Sequence, residues 1–279
     1  MSYKTVLVQV DDSRHAEPRI DTAAAIAVTQ EAHLIGMAVT GVSRFLYDAL
    51  TVAPEDPDIG PHVEVLRQRA YDALAKFENI ARKAGVLSLE KRLVDDEAGG
   101  GFSLQARCAD IVVLGQPPEN DPTATTSTDF PEYVIMNCGV AGLIVPIGYT
   151  ARKNFDKVLI SWNASREATR ALHSAIPLLQ RAKTVQVVMF NPGSQASPLD
   201  LPPGGDIDAF LARHDVKVTM TQQDTSRPIG DALLSHANTL GADLLVMGCY
   251  GHSRFREILL GGATRTIMTS TPIPVLMAH

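Results

Sequence analysis

The chain has 279 residues, 45% of them hydrophobic and 20% charged, with 25 basic against 31 acidic side chains and a formal net charge of −6. This hydrophobicity argues against disorder over most of the chain, and the acidic balance against the basic footprint of a general nucleic-acid or anionic-membrane binder. At roughly 150 residues per domain, the length suggests about two domains.

The first residues lead directly into an apolar run from Val6 to Val10, closed by Asp11 and Asp12. A basic region, an apolar region and a small-residue cleavage site do not follow one another there, so no signal peptide is expected. Strands are expected near residues 4–10, 33–39, 87–94, 110–114 and 142–146, and again near 156–161, 184–190, 216–221, 243–247 and 274–277. They are short and rich in Val, Ile and Leu, as strands buried on both faces should be. Helical stretches alternate with them, which implies a parallel sheet with helices on both faces.

The first helix of each half carries an apolar stripe at the 3.6-residue period: Ile20, Ala23, Ala24 and Ala27, then Leu172, Ala175, Ile176 and Leu179. Ser13 and Ser165 are expected to cap these helices through their hydroxyl oxygens. A long helix is expected near 62–84. Its counterpart at 191–214 holds Asn191-Pro192-Gly193 and Pro202-Pro203-Gly204-Gly205 and is expected to be a loop followed by a short helix.

The chain repeats itself. Residues 6–14 (Val-Leu-Val-Gln-Val-Asp-Asp-Ser-Arg) align without gaps to 158–166 (Val-Leu-Ile-Ser-Trp-Asn-Ala-Ser-Arg), an offset of 152. Residues 109–115 (Ala-Asp-Ile-Val-Val-Leu-Gly) align to 242–248 (Ala-Asp-Leu-Leu-Val-Met-Gly) at an offset of 133, so the first half is 19 residues longer between these anchors. The boundary is expected in the polar stretch 148–154, giving domains 1–150 and 151–279.

In an open parallel sheet, ligands bind beyond the carboxyl ends of the strands, where the strand order reverses. The loops after the first and fourth strands therefore matter most. In the second half, the loop after strand four contains Gly248, Gly251, Gly261 and Gly262 in a G-x-x-G-x9-G pattern, followed by Ala263 and Thr264. Gly248 and Gly251 are expected to permit tight, positive-φ backbone and leave room for a ligand. Gly261 and Gly262 lead into a helix whose free N–H groups form an anion site. Thr264 adds a hydroxyl, and Arg254, Arg256 and Arg265 add positive charge. The combination suits phosphates. It is neither a Walker A loop nor G-x-G-x-x-G.

On these residues each half resembles the universal stress protein domain, and the whole chain resembles a tandem member of that family. The resemblance implies strand order 3-2-1-4-5 in each of two five-stranded sheets. It implies an ATP site, with Mg²⁺ as an optional companion, formed by Gly248, Gly251, Gly261, Gly262, Ala263 and Thr264. It further places Ser161 and Asn163 at the nucleoside and Phe190 near adenine. Two positions depart from the family pattern: Gly262 stands where a hydroxyl residue is usual, and Asn163 where Asp is usual. Intramolecular pairing of the fifth strands, residues 143–145 against 275–277, is also implied, with homodimerisation as a further option.

The first half departs further. Gly115 is followed by three prolines, at 117, 118 and 122, and by Glu119, Asp121 and Asp129, with no second motif glycine. Prolines remove donors and acids repel phosphate, so this half is expected to be degenerate as a nucleotide site. Asp11 is read as either a ligand group or a helix-start acid.

The eight histidines show no metal-ligand spacing, and Asp95, Asp96 and Glu97 are read as a solvated helix start rather than a Mg²⁺ site. The three cysteines, Cys108, Cys138 and Cys249, are widely spaced, which suits free thiols in the cytoplasm. Neither catalytic nor metal-ligating residues are expected. The expected function is ATP binding by a non-catalytic stress protein, with at most slow hydrolysis. The alternatives are a nucleotide-free scaffold and, less favoured, an adenylating enzyme of the nucleotide α-hydrolase type. Nucleic acid and membrane are not expected as partners, and a protein partner is not identified by the sequence.

Overall fold

The computed structural model describes residues 2–43, 59–117, 126–192, 206–250 and 262–279. The chain forms two compact units, Tyr3–Lys153 and Asn154–His279.

The first unit contains β1 (Thr5–Gln9), α1 (Ala16–Gln30), β2 (His33–Val39), α2 (Ile59–Lys83), β3 (Leu89–Val94), α3 (Ala98–Ala106), β4 (Ile111–Gly115), α4 (Phe130–Cys138) and β5 (Ala141–Val145). β1 pairs in parallel with β2 and β4, β2 with β3, and β4 with β5, giving the order β3-β2-β1-β4-β5. The second unit contains β6 (Lys157–Ser161), α5 (Arg166–Leu179), β7 (Thr184–Phe190), α6 (Ile207–Arg213), β8 (Val218–Gln223), α7 (Ile229–Leu240), β9 (Leu244–Gly248), α8 (Ala263–Ser270) and β10 (Val275–Ala278). Its pairings are also parallel and give β8-β7-β6-β9-β10, so it repeats the order of the first.

The central strands are dry. Val6, Leu7, Val8, Leu159, Leu245 and Leu276 are fully buried, as expected where helices cover both faces. α1 packs with α2, and α3 with α4. The predicted stripes are the buried ones: Ile20, Ala23, Ala24 and Ala27 on α1, and Leu172, Ala175, Ile176 and Leu179 on α5. The extra length of the first unit is carried in part by the 25-residue α2, whereas its counterpart α6 has seven residues.

The two first helices start differently. Ser165 caps α5 as expected, its Oγ accepting from Ala168 N at 3.1 Å. Ser13 does not cap α1, which begins after His15 without a side-chain cap. The Ser13 hydroxyl instead donates to Asp11 Oδ1 at 2.5 Å, and the same oxygen accepts Ser13 N at 3.1 Å. Ser13 stands two residues before the N-cap position, His15, so its hydroxyl serves the loop rather than the helix start.

Both units share a further device. Asp110, just before β4, accepts the backbone N–H groups of Lys4 and Thr5 at 2.6 and 2.9 Å. Asp243, just before β9, accepts those of Asp156 and Lys157 at 3.0 and 2.9 Å. Each aspartate thereby ties the start of a unit's first strand to the start of its fourth and satisfies donors that pairing leaves free.

Candidate functional site

In the second unit the strand order reverses between β6 and β9, so the carboxyl ends of these strands and of β7 define the candidate site. Ser161 ends β6 and is half-buried. The chain then turns sharply through Ala164, whose φ is 57°. Asn163 is exposed, and its Oδ1 accepts Ser165 N at 3.1 Å, so its carbonyl oxygen shapes the turn while its amide N–H₂ is a donor group on an exposed side chain.

Phe190 ends β7. It is buried, with its ring edge-on to His236 at a centroid distance of 6.3 Å. His236 Nδ1 lies 3.2 Å from Gln223 Nε2, and its Nε2 lies 3.3 Å from Gln186 Oε1. These partners suit a neutral ring that accepts at Nδ1 and donates at Nε2, and burial holds its pKa below the ordinary histidine value. Beyond Phe190, Asn191 and Thr225 exchange two hydrogen bonds of 3.0 and 2.8 Å. Neither this clamp nor the His236 network was foreseen, because both join residues distant in sequence.

Gly248 ends β9, and here the sequence expectation needs correction. Its φ is not positive. A Cβ at this position would lie 2.4 Å from Ala168 N and 2.6 Å from the Glu167 carbonyl carbon. The glycine is required because the first turn of α5 packs against the strand, so the space expected for a ligand is filled by helix backbone. Glu167 is itself buried beside it. Cys249 is fully buried, and its N–H donates to Ala278 O at 3.0 Å.

Gly262 occupies the N-cap position of α8 and supplies no side chain to cap it. Ala263 and Thr264 begin the helix, so their backbone N–H groups point out of its first turn. Thr264 is buried, and its Oγ1 accepts Tyr250 N at 3.4 Å, holding the helix start beside the end of β9. Arg265 is exposed next to it. Gly251 and Gly261, with His252, Arg254 and Arg256, lie outside the described residues. Of the predicted site, the structure thus brings Ser161, Asn163, Phe190 and Gly248 to one sheet edge and ties Thr264 to the residue that follows Cys249.

The corresponding edge of the first unit is more heavily charged. Asp11 is ion-paired to Arg19 at 2.8 Å. Burial alone would raise its pKa, but Arg19 and the hydrogen bonds from Ser13 and Arg19 outweigh that and hold the carboxyl below its usual value. Asp12 pairs with Arg69 of α2 at 2.6 Å, and Asp95 pairs with Arg67. Asp96 accepts Glu97 N at 2.9 Å, and Glu97 stands at the start of α3, as a helix-start cluster should. Among the described residues, no three His, Cys, Asp or Glu side chains are grouped to hold a metal ion. No helix there is long and apolar enough to cross a membrane.

Residues 154–279 match the model of the universal stress protein family. A universal stress protein of Synechocystis is 39% identical over 46 residues, a stretch covering 16% of either chain. The crystal structure of a universal stress protein from Archaeoglobus fulgidus superposes with a TM-score of 0.73 at 15% identity, covering 98% of this chain and 95% of that one. A Pseudomonas aeruginosa structure provisionally assigned to the same family gives a TM-score of 0.55 at 16% identity, with 98% and 92% covered. At these identities, the structural matches establish the fold.

Proposed function

We propose that the second unit, whose residues 154–279 match the universal stress protein family, binds an adenine nucleotide, ATP foremost, and acts as a non-catalytic stress-type protein, beside a first unit built on the same strand order. The observation that carries this reading is the start of α8. Its N-cap residue has no side chain to satisfy the first N–H groups, and Thr264 anchors that turn at the edge where parallel sheets take their ligands.

The donor set fits a nucleotide. The N–H groups of Ala263 and Thr264 would hold phosphate oxygens, and the exposed Arg265 offsets their charge. The Asn163 amide and the Ser161 hydroxyl would hydrogen-bond the sugar or base. Phe190 supplies the apolar wall beneath. Mg²⁺, when bound with ATP, would cover phosphate charge. Cytoplasmic residence belongs to the same proposal.

A nucleotide-free scaffold is the second reading. What favours it is that the Asn163 carbonyl oxygen and a Thr264 lone pair are already engaged within the protein.

Equilibrium dialysis of the full chain against millimolar ATP separates the two. Retention of ATP is expected, and Thr264→Val, which removes the hydroxyl that holds the α8 start to Tyr250 N, should weaken it about tenfold. A chain that retains no adenine nucleotide overturns the proposal and leaves the scaffold.

A further inference from the structure

The first unit has its own reversal of strand order, between β1 and β4, and side chains of the protein bridge it. Arg19 stands in the first turn of α1 and is 3% exposed. Its Nε donates to Gln9 O at 2.7 Å and its Nη2 to Asp11 Oδ2 at 2.8 Å. Its Nη1 lies against Gly115 at the end of β4, 2.3 Å from where a Cβ would stand. Gly115 N donates in turn to Gln9 Oε1 at 3.1 Å, and Gln9 Nε2 donates to Asp11 Oδ2 at 3.0 Å. The ends of both strands are therefore joined through Gln9, Asp11 and Arg19.

The space left beside this bridge, lined by Asp12, Thr40, Leu66 and Arg69 among others, is about 20 Å³. That volume suits a single water molecule. By the repeat alignment, the second unit has Ser161, Asn163 and Ala171 where the first has Gln9, Asp11 and Arg19. None of these three carries a guanidinium or a carboxylate.

We propose that Arg19 is a built-in occupant of the first unit's crevice, and that this crevice is by construction a receptor for a planar, hydrogen-donating cation, closed to nucleotides. Its acceptors are a carboxylate and a backbone carbonyl, which match a guanidinium fork and repel phosphate. The occupant is covalently part of α1, so no free ligand competes with it. The claim about the first unit stands on its own geometry. Only the expectation of one open site per chain rests on the proposed reading of the second unit.

The test replaces the occupant. In full-length Arg19→Ala, the lost atoms correspond closely to ethylguanidinium. Added at millimolar concentration, this cation is expected to raise the thermal midpoint of Arg19→Ala by several degrees. It should leave wild type and the Arg19→Ala/Asp11→Asn double variant unchanged. No difference between Arg19→Ala and wild type overturns the proposal. Wild type binding two ATP per chain also overturns it while leaving the proposed function intact. Wild type binding no ATP ends the proposed function and leaves the ethylguanidinium result to decide this claim.

Should Arg19→Ala fail to fold, dicarbonyl labelling of arginines read by mass spectrometry replaces it. Arg19 is expected to resist in wild type and to react in Gly115→Ala, whose new Cβ displaces Nη1. Labelling of wild-type Arg19 as fast as the exposed Arg213 contradicts the proposal.

Discussion

Gly248 and Gly115 occupy the same place in the repeat but meet different neighbours. The former faces the backbone of α5, and the latter faces the guanidinium of Arg19. Backbone cannot swing aside as a side-chain end can. Gly248→Ala is therefore expected to destabilise the chain by about 1–3 kcal/mol, as overpacking does, and Gly115→Ala by less. Urea unfolding of the two variants measures the difference. Asp11 carries a pH signature. Its folded-state pKa is depressed, so the stability it contributes is present above the unfolded carboxyl value of about 3.9 and is lost as pH falls below that, through the folded value. Asp11→Asn should therefore narrow the stability difference between neutral and acid solution. An unchanged acid limb would mean that the ion pair with Arg19 contributes nothing. Sequence alone gave no warning of Arg19, because a charged helix residue ordinarily reads as solvent-facing.

The strands were legible to within two residues; the central ones are uninterrupted apolar runs because they are buried on both faces, whereas the outer β3 (Leu-Glu-Lys-Arg-Leu-Val) and β8 (Val-Thr-Met-Thr-Gln-Gln) are mixed in character and only half-buried. Helix starts were less so. Ser165 and Ser13 stand at equivalent points in the repeat, yet only Ser165 caps, since α1 starts two residues later in the repeat, after His15, and leaves Ser13 hydrogen-bonded to Asp11 in the preceding loop. Ser165→Ala should cost about 1 kcal/mol, and Ser13→Ala should cost less through the cap. Equal costs in chemical denaturation would contradict this assignment. The Ala-Asp pair that anchors the alignment proved to have a structural cause, which spacing could not show. Asp110 and Asp243 each accept two backbone N–H groups of an incoming strand. Asp243 is 3% exposed, so Asp243→Ala leaves two donors unsatisfied and is expected to cost about 1–3 kcal/mol for each, read as a lowered denaturation midpoint.

At the scale of the whole molecule, one architecture occurs twice with opposite treatment of the edge formed by its strands' carboxyl ends. In the first unit that edge is bridged by Gln9, Asp11 and Arg19, and Arg67 and Arg69 of α2 pair with acids in the loops after β3 and β1. In the second unit the aligned residues are small or neutral, and a helix start with glycine at its N-cap is tied to the residue after Cys249. The motif glycines marked this asymmetry in the sequence. Its physical basis, a guanidinium held between two strand ends, depends on contacts between residues about a hundred positions apart. The most direct measurement is hydrogen–deuterium exchange of the full chain with and without saturating ATP. Slower exchange is expected in peptides covering 161–165 and 262–266, with residues 9–13 unchanged. Protection appearing at 9–13, or at neither edge, would contradict the account.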